Sequence, residues 1–117
     1  MAPRKRVLIV DDDPAVSTAA AQMIRVLGHM AVVAWGVESA LSIWEETERA
    51  FDFAIVDYVL KDGSGAALVE RLKSEKPEMP VFLTSGMTED DIDVPAGVRF
   101  LAKPYSLDDL RDTIDSL

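Results

Sequence analysis

Five short apolar runs recur along the chain, each followed by a polar or amphipathic stretch, and this alternation constrains the fold more than any other feature. The runs are residues 6–10 (RVLIV), 30–35 (MAVVAW), 53–56 (FAIV), 81–85 (VFLTS) and 98–102 (VRFLA). They are apolar at consecutive rather than alternate positions, so each reads as a strand buried on both faces. The intervening stretches carry helical spacing. Val16, Ala19, Ala20, Met23, Ile24 and Leu27 share one face of a first helix, started by Asp13-Pro14 and ended by Gly28. Val37, Ala40, Leu41 and Trp44 mark a second, and Leu68, Val69 and Leu72 a third. Residues 86–97 are polar, contain Pro95, and leave room for a short fourth helix at most. Ser106 and Asp109 form a capping-box pattern ahead of a last helix lined by Leu107, Leu110, Ile114 and Leu117.

Strands that alternate with helices and are buried on both faces predict a parallel sheet covered on both sides. Right-handed crossovers then prune the topology to a doubly wound sheet. The expected fold is α/β, flavodoxin-like, with five parallel strands in the order 2-1-3-4-5 and a short or weak fourth helix. The length of 117 residues suits a single domain spanning 1–117.

Composition narrows the function. The net charge of −9 argues against direct nucleic-acid binding, because phosphate contacts need clustered Lys and Arg. Cysteine is absent, which removes disulfides and thiolate metal sites and suits a reducing, cytoplasmic setting. No apolar run approaches the roughly 20 residues of a membrane span. The basic start from Met1 to Arg6 meets three aspartates after four apolar residues, so it does not read as a signal peptide.

In a parallel sheet all strand C-termini lie along one edge, and ligands bind there where the strand order reverses. The first strand runs into Asp11 and Asp12, the third into Asp57, the fourth ends in Thr84 and Ser85, and the fifth runs into Lys103. Each has an ordinary explanation alone: a turn or cap, a loop acid, a local backbone contact, a surface lysine. Their joint placement at strand ends does not. Clustered carboxylates repel unless a cation neutralises them, and an oxygen-only set without His or Cys suits a hard ion such as Mg²⁺. A carboxylate beside such an ion and an ammonium can accept a phosphoryl group, which points to an aspartyl-phosphate site. His29 reads as a loop or surface residue, Trp35 and Trp44 as packing, Glu45 to Glu48 as a solvated face, and DGSG as turn chemistry.

The segments VLIVDDDP, FAIVDYVLKDGSG, PVFLTSG and FLAKPY, in this order, resemble the response-regulator receiver family of two-component signalling along nearly the whole chain. The resemblance implies that Asp57 is the phosphoacceptor. It implies that Asp12 ligates Mg²⁺ directly, that Asp11 acts through a water, and that the Val59 main-chain carbonyl joins them. Lys103 would pair with the phosphoryl oxygens. Ser85, five residues past Pro80, would hydrogen-bond the phosphoryl group, and Phe100 would be the aromatic that follows that hydroxyl. The Lys103–Pro104 bond would be cis. The expected donor is a histidine kinase or phosphotransfer protein, with slow autodephosphorylation and an unassigned output partner.

Two positions depart from the family pattern. Lys61 stands where many members have proline, which predicts a more mobile loop. Ser85 to Lys103 is 18 residues (103 minus 85), about one helical turn short of many transcription-regulating members, and is similar to receivers of hybrid histidine kinases. Two competing readings remain. Asp11 and Asp13 form the D-x-D of haloacid-dehalogenase-type phosphohydrolases, but the chain is short for that fold and Asp57 and Lys103 would go unused. A phosphate-independent interaction domain is disfavoured because every expected site residue is present.

Overall fold

A computed structural model describes residues 4–117 of the chain. Met1 to Pro3, half of the basic start, lie outside the described residues. The elements follow in the order β1 (Arg6–Val10), α1 (Pro14–Val26), β2 (Met30–Ala34), α2 (Val37–Glu46), β3 (Phe53–Asp57), β4 (Val59–Leu60), β5 (Gly63–Ser64), α3 (Gly65–Glu75), β6 (Val81–Ser85), β7 (Arg99–Ala102) and α4 (Leu107–Asp115). The main sheet is parallel throughout, in the order β2-β1-β3-β6-β7. Counting only its five strands, this is the expected 2-1-3-4-5. The extra pair, β4-β5, is a small antiparallel hairpin directly after β3.

The sheet separates two apolar layers. Ala54, Val56, Val81 and Leu83 face α2 and α3, where Trp44, Leu68 and Leu72 close the core. Phe53, Ile55, Phe82 and Leu101 face α1 and α4, against Ala20, Ile24, Leu110 and Ile114. Adjacent residues thus feed opposite layers, which is why the strands read as continuous apolar runs rather than alternating ones.

Local signals set the helix ends. Asp13 caps α1, accepting from Ala15 N at 2.9 Å and Val16 N at 3.3 Å, with Pro14 in the first turn. Ser106 and Asp109 complete the capping box of α4. Between β6 and β7 there is only a single 3-10 turn, Glu89–Asp91, and then coil whose Ile92, Val94 and Val98 pack onto the core. Three consecutive acids and Pro95 explain why no helix propagates there.

Several expectations need correction. The buried face of α1 is Ser17, Ala20, Ala21 and Ile24, and Ala19 is exposed. His29 is buried, with Nδ1 accepting the Lys5 amide at 3.0 Å. Trp44 packs in the core as expected, fully buried and stacked on Phe51, whereas Trp35 is 66% exposed and not a core residue. Leu117 falls past the last helix and is exposed.

Candidate phosphoryl-transfer site

The C-terminal ends of β1, β3, β6 and β7 meet at one edge, and the predicted carboxylates meet with them. Asp11, Asp12 and Asp57 each offer an oxygen, and the three oxygens lie within 4.8 Å of one another. Lys103 reaches across: its Nζ lies 2.8 Å from Asp11 Oδ2 and 3.1 Å from Asp57 Oδ2. The Asp11 contact is an ion pair rather than an aligned hydrogen bond, for Oδ2 is buried with no well-directed donor. Asp11 Oδ1 accepts the Asp13 amide at 3.0 Å. Asp57 Oδ1 accepts the Val59 amide at 3.4 Å, so the Val59 main chain lies beside the Asp57 carboxylate while its side chain is exposed.

β6 holds both sides of the site through its main chain. The Thr84 carbonyl accepts from Tyr58 N at 2.8 Å and the Ser85 carbonyl from Lys103 N at 2.9 Å. Tyr58, the residue after Asp57, and Lys103 opposite are therefore fixed by consecutive peptide units. The Lys103–Pro104 bond is cis. Ser85 Oγ accepts the Met87 amide at 3.0 Å and keeps its own proton free to donate. Thr84 is equally buried; its Oγ1 has no partner, and its register partner is Asp57. Phe100 pairs in register with Leu83, which puts it on the same face of the sheet as Ser85. It is half-buried, on the side where coil and a single 3-10 turn join β6 to β7.

Burial raises the Asp57 pKa above the ordinary carboxylate value, and hydrogen bonding and charge from Lys103 offset this only in part. Burial also works against the Lys103 ammonium, but its close contacts with the Asp11 and Asp57 carboxylates outweigh it, so the Lys103 pKa is raised. The two directions agree, because one ammonium is shared between two carboxylates and lies closer to Asp11. Tyr105 is pushed up to about 12 by burial, and then by the charges of Asp11 and Asp57.

Three features were not read from the sequence. Lys61 N–H donates to Asp12 Oδ2 at 2.7 Å. Asp62 accepts from Val37 N at 2.8 Å and Glu38 N at 3.1 Å, capping α2 where Gly36 offers no side chain. Gly65 lets the start of α3 touch the Asp57 carbonyl. The expected mobile loop is therefore a hairpin tied down at both tip residues. Only the unusual Lys61 could have signalled the first, because the partner lies 49 residues away.

Comparison with known proteins agrees with this geometry. The family model of the response regulator receiver domain matches residues 7–115, so the chain belongs to that family, a family of signalling domains. Among curated relatives, the DNA-binding transcriptional regulator NtrC of Azospirillum brasilense is 30% identical over 93% of this chain and 23% of its own length. The photosynthetic apparatus regulatory protein RegA of Rhodobacter capsulatus is 28% identical over 94% of this chain and 61% of its own. The chain thus spans less than two thirds of these relatives. Among solved structures, a CheY-like receiver domain from Methanospirillum hungatei JF-1 superposes with a TM-score of 0.86 at 27% identity, covering 97% of this chain and 93% of that one. The receiver domain of the hybrid histidine kinase CckA gives 0.82 at 30% identity, covering 95% and 96%. Among the described residues no helix is long and apolar enough to cross a membrane.

Proposed function

We propose that this domain, read as spanning 1–117, accepts a phosphoryl group on Asp57 from the phosphohistidine of a histidine kinase or phosphotransfer protein. The observation that carries this reading is Lys103 Nζ placed 3.1 Å from Asp57 Oδ2 beside two further carboxylates. Asp57 would attack phosphorus through a carboxylate oxygen; the phosphorus–nitrogen bond breaks and its electron pair leaves on the imidazole. Lys103 would move from the carboxylates toward the new phosphoryl oxygens, and Ser85 would donate its free proton to one of them. Phe100, on the same face as Ser85, would follow that displacement and carry the switch.

The donor set fits Mg²⁺, being all oxygen and within reach of one ion. Asp12, Asp57 and the Val59 carbonyl would hold it, with Asp11 acting through water. When bound, Mg²⁺ would offset negative charge on the transferring group. Release of phosphate would be slow autodephosphorylation rather than turnover of a free substrate. A cytoplasmic setting and an output partner other than nucleic acid complete the proposal. The shortened β6–β7 connection and the likeness to the CckA domain support a receiver of the hybrid-kinase type.

Acetyl phosphate with Mg²⁺ tests this by intact mass. One phosphoryl group is expected on the wild type and none on Asp57→Asn; equal labelling of both would remove the proposal.

A further inference from the structure

Asp12 does not stand free at the site. Its Oδ2 accepts the main-chain N–H of Lys61 at 2.7 Å, from the tip of the β4-β5 hairpin. Val59 pairs with Ser64 and Leu60 with Gly63, so Lys61 and Asp62 are the two turn residues. The first turn residue is where proline is favoured, and a proline there has no N–H to give. We infer that the Lys61 amide is a positioning donor for Asp12, orienting its carboxylate toward the cation, a role the family's usual proline cannot perform. This rests on the proposed Mg²⁺ site and deepens it.

Two observations give the sign of the effect. With the hydrogen bond in place, oxygens of Asp11, Asp12 and Asp57 already lie within 4.8 Å of one another. The amide therefore orients Asp12 within the cluster rather than withdrawing it. The donor itself is fixed from the far side, because Asp62 is held by the Val37 and Glu38 amides of α2. A carboxylate ligand whose second oxygen is held by a fixed donor loses less freedom on binding. Removing such a partner typically weakens metal affinity about tenfold or more.

Lys61→Pro removes the N–H at a turn position that suits proline, and Leu60 before it is already extended. Lys61→Ala keeps the N–H and removes only an exposed side-chain charge. Mg²⁺ titrations followed by amide chemical shifts should give Lys61→Ala binding as tight as wild type or tighter. Lys61→Pro should bind about tenfold weaker or worse. Without Mg²⁺ it should melt no lower than wild type, which a merely structural role would not allow. Unchanged or tighter Mg²⁺ binding by Lys61→Pro overturns the inference. If that variant fails to fold, amide exchange decides: Lys61 N–H should be protected in the wild type and lose protection selectively in Asp12→Ala, and equal protection in both refutes the role. A wild type that binds no Mg²⁺, or an Asp12→Asn variant that binds at full strength, would instead break the metal reading beneath it.

Discussion

Gly65→Ala tests how the fold and the proposed acceptor, Asp57, are joined. Gly65 opens α3, and its amide donates to the Tyr58 carbonyl at 3.0 Å. A Cβ added there would fall 1.9 Å from the Asp57 carbonyl oxygen, 2.8 Å from its carbon and 2.9 Å from Tyr58 Cα. Real Cβ contacts stay beyond 3.0 Å, so the main chain must yield by at least about 1.1 Å (3.0 minus 1.9). All three obstructing atoms are backbone, and no side-chain rotation relieves them. Overpacking costs about 1–3 kcal/mol, and a clash with fixed main chain belongs at the upper end. At about 4 °C per kcal/mol for a domain of this size, the melting temperature should fall by about 12 °C. Two of the three obstructing atoms belong to Asp57 itself, and a misplacement of about 1 Å can cost about 100-fold in rate. Acetyl phosphate labelling should therefore slow more than the stability loss explains. Gly86→Ala is the control, since nothing lies within 4 Å of its added Cβ. Thermal unfolding followed by circular dichroism, paired with the labelling rate, reads both effects. If Gly65→Ala melts and labels like the wild type, the close approach is not a constraint and the reasoning fails.

The Glu75 carboxylate accepts from Arg71 at 2.7 Å and Arg49 at 2.8 Å, and its pKa is lowered to about 2, chiefly by the Arg71 and then the Arg49 hydrogen bond. A depressed pKa contributes stability that is present above the unfolded carboxylate value and is lost as pH falls toward about 2. Glu75→Gln should lower the melting temperature at neutral pH and flatten the acid limb, and an unchanged acid limb would contradict this. Asp62→Ala should destabilise by uncapping α2, with Asp62→Asn losing less because it keeps an acceptor; equal losses would mean the cap is not what matters. Ser85→Ala should still be phosphorylated but lose the amide shifts around Phe100, while Thr84→Ala keeps them. The reverse pattern would assign the switch to the orphan Thr84 hydroxyl.

Much of this site could be read from the chain alone, for identifiable reasons. Asp11, Asp12, Asp57 and Lys103 sit at the ends of apolar runs, and strand ends in a parallel sheet share one edge. Asp13-Pro14 and the Ser106–Asp109 box are local signals, so those helix starts fell where expected. What stayed hidden was long-range and main-chain in character. The Lys61 amide, the Asp62 cap and the Gly65 approach each join segments whose meeting depends on tertiary placement. Ala19 and Ala21 are the same residue type, so composition could not say which of them turns inward. His29 looked like a surface residue because no neighbour in sequence announces that Lys5 will cover it.

The most direct test of the central claim is the position of the phosphoryl group itself. Borohydride reduces an aspartyl phosphate to homoserine, and tandem mass spectrometry of the digested protein then reports which residue was modified. After incubation with acetyl phosphate and Mg²⁺, homoserine should appear at position 57 and nowhere else. Homoserine at position 11, the first acid of the D-x-D, would contradict the receiver mechanism and favour a phosphohydrolase nucleophile in its place.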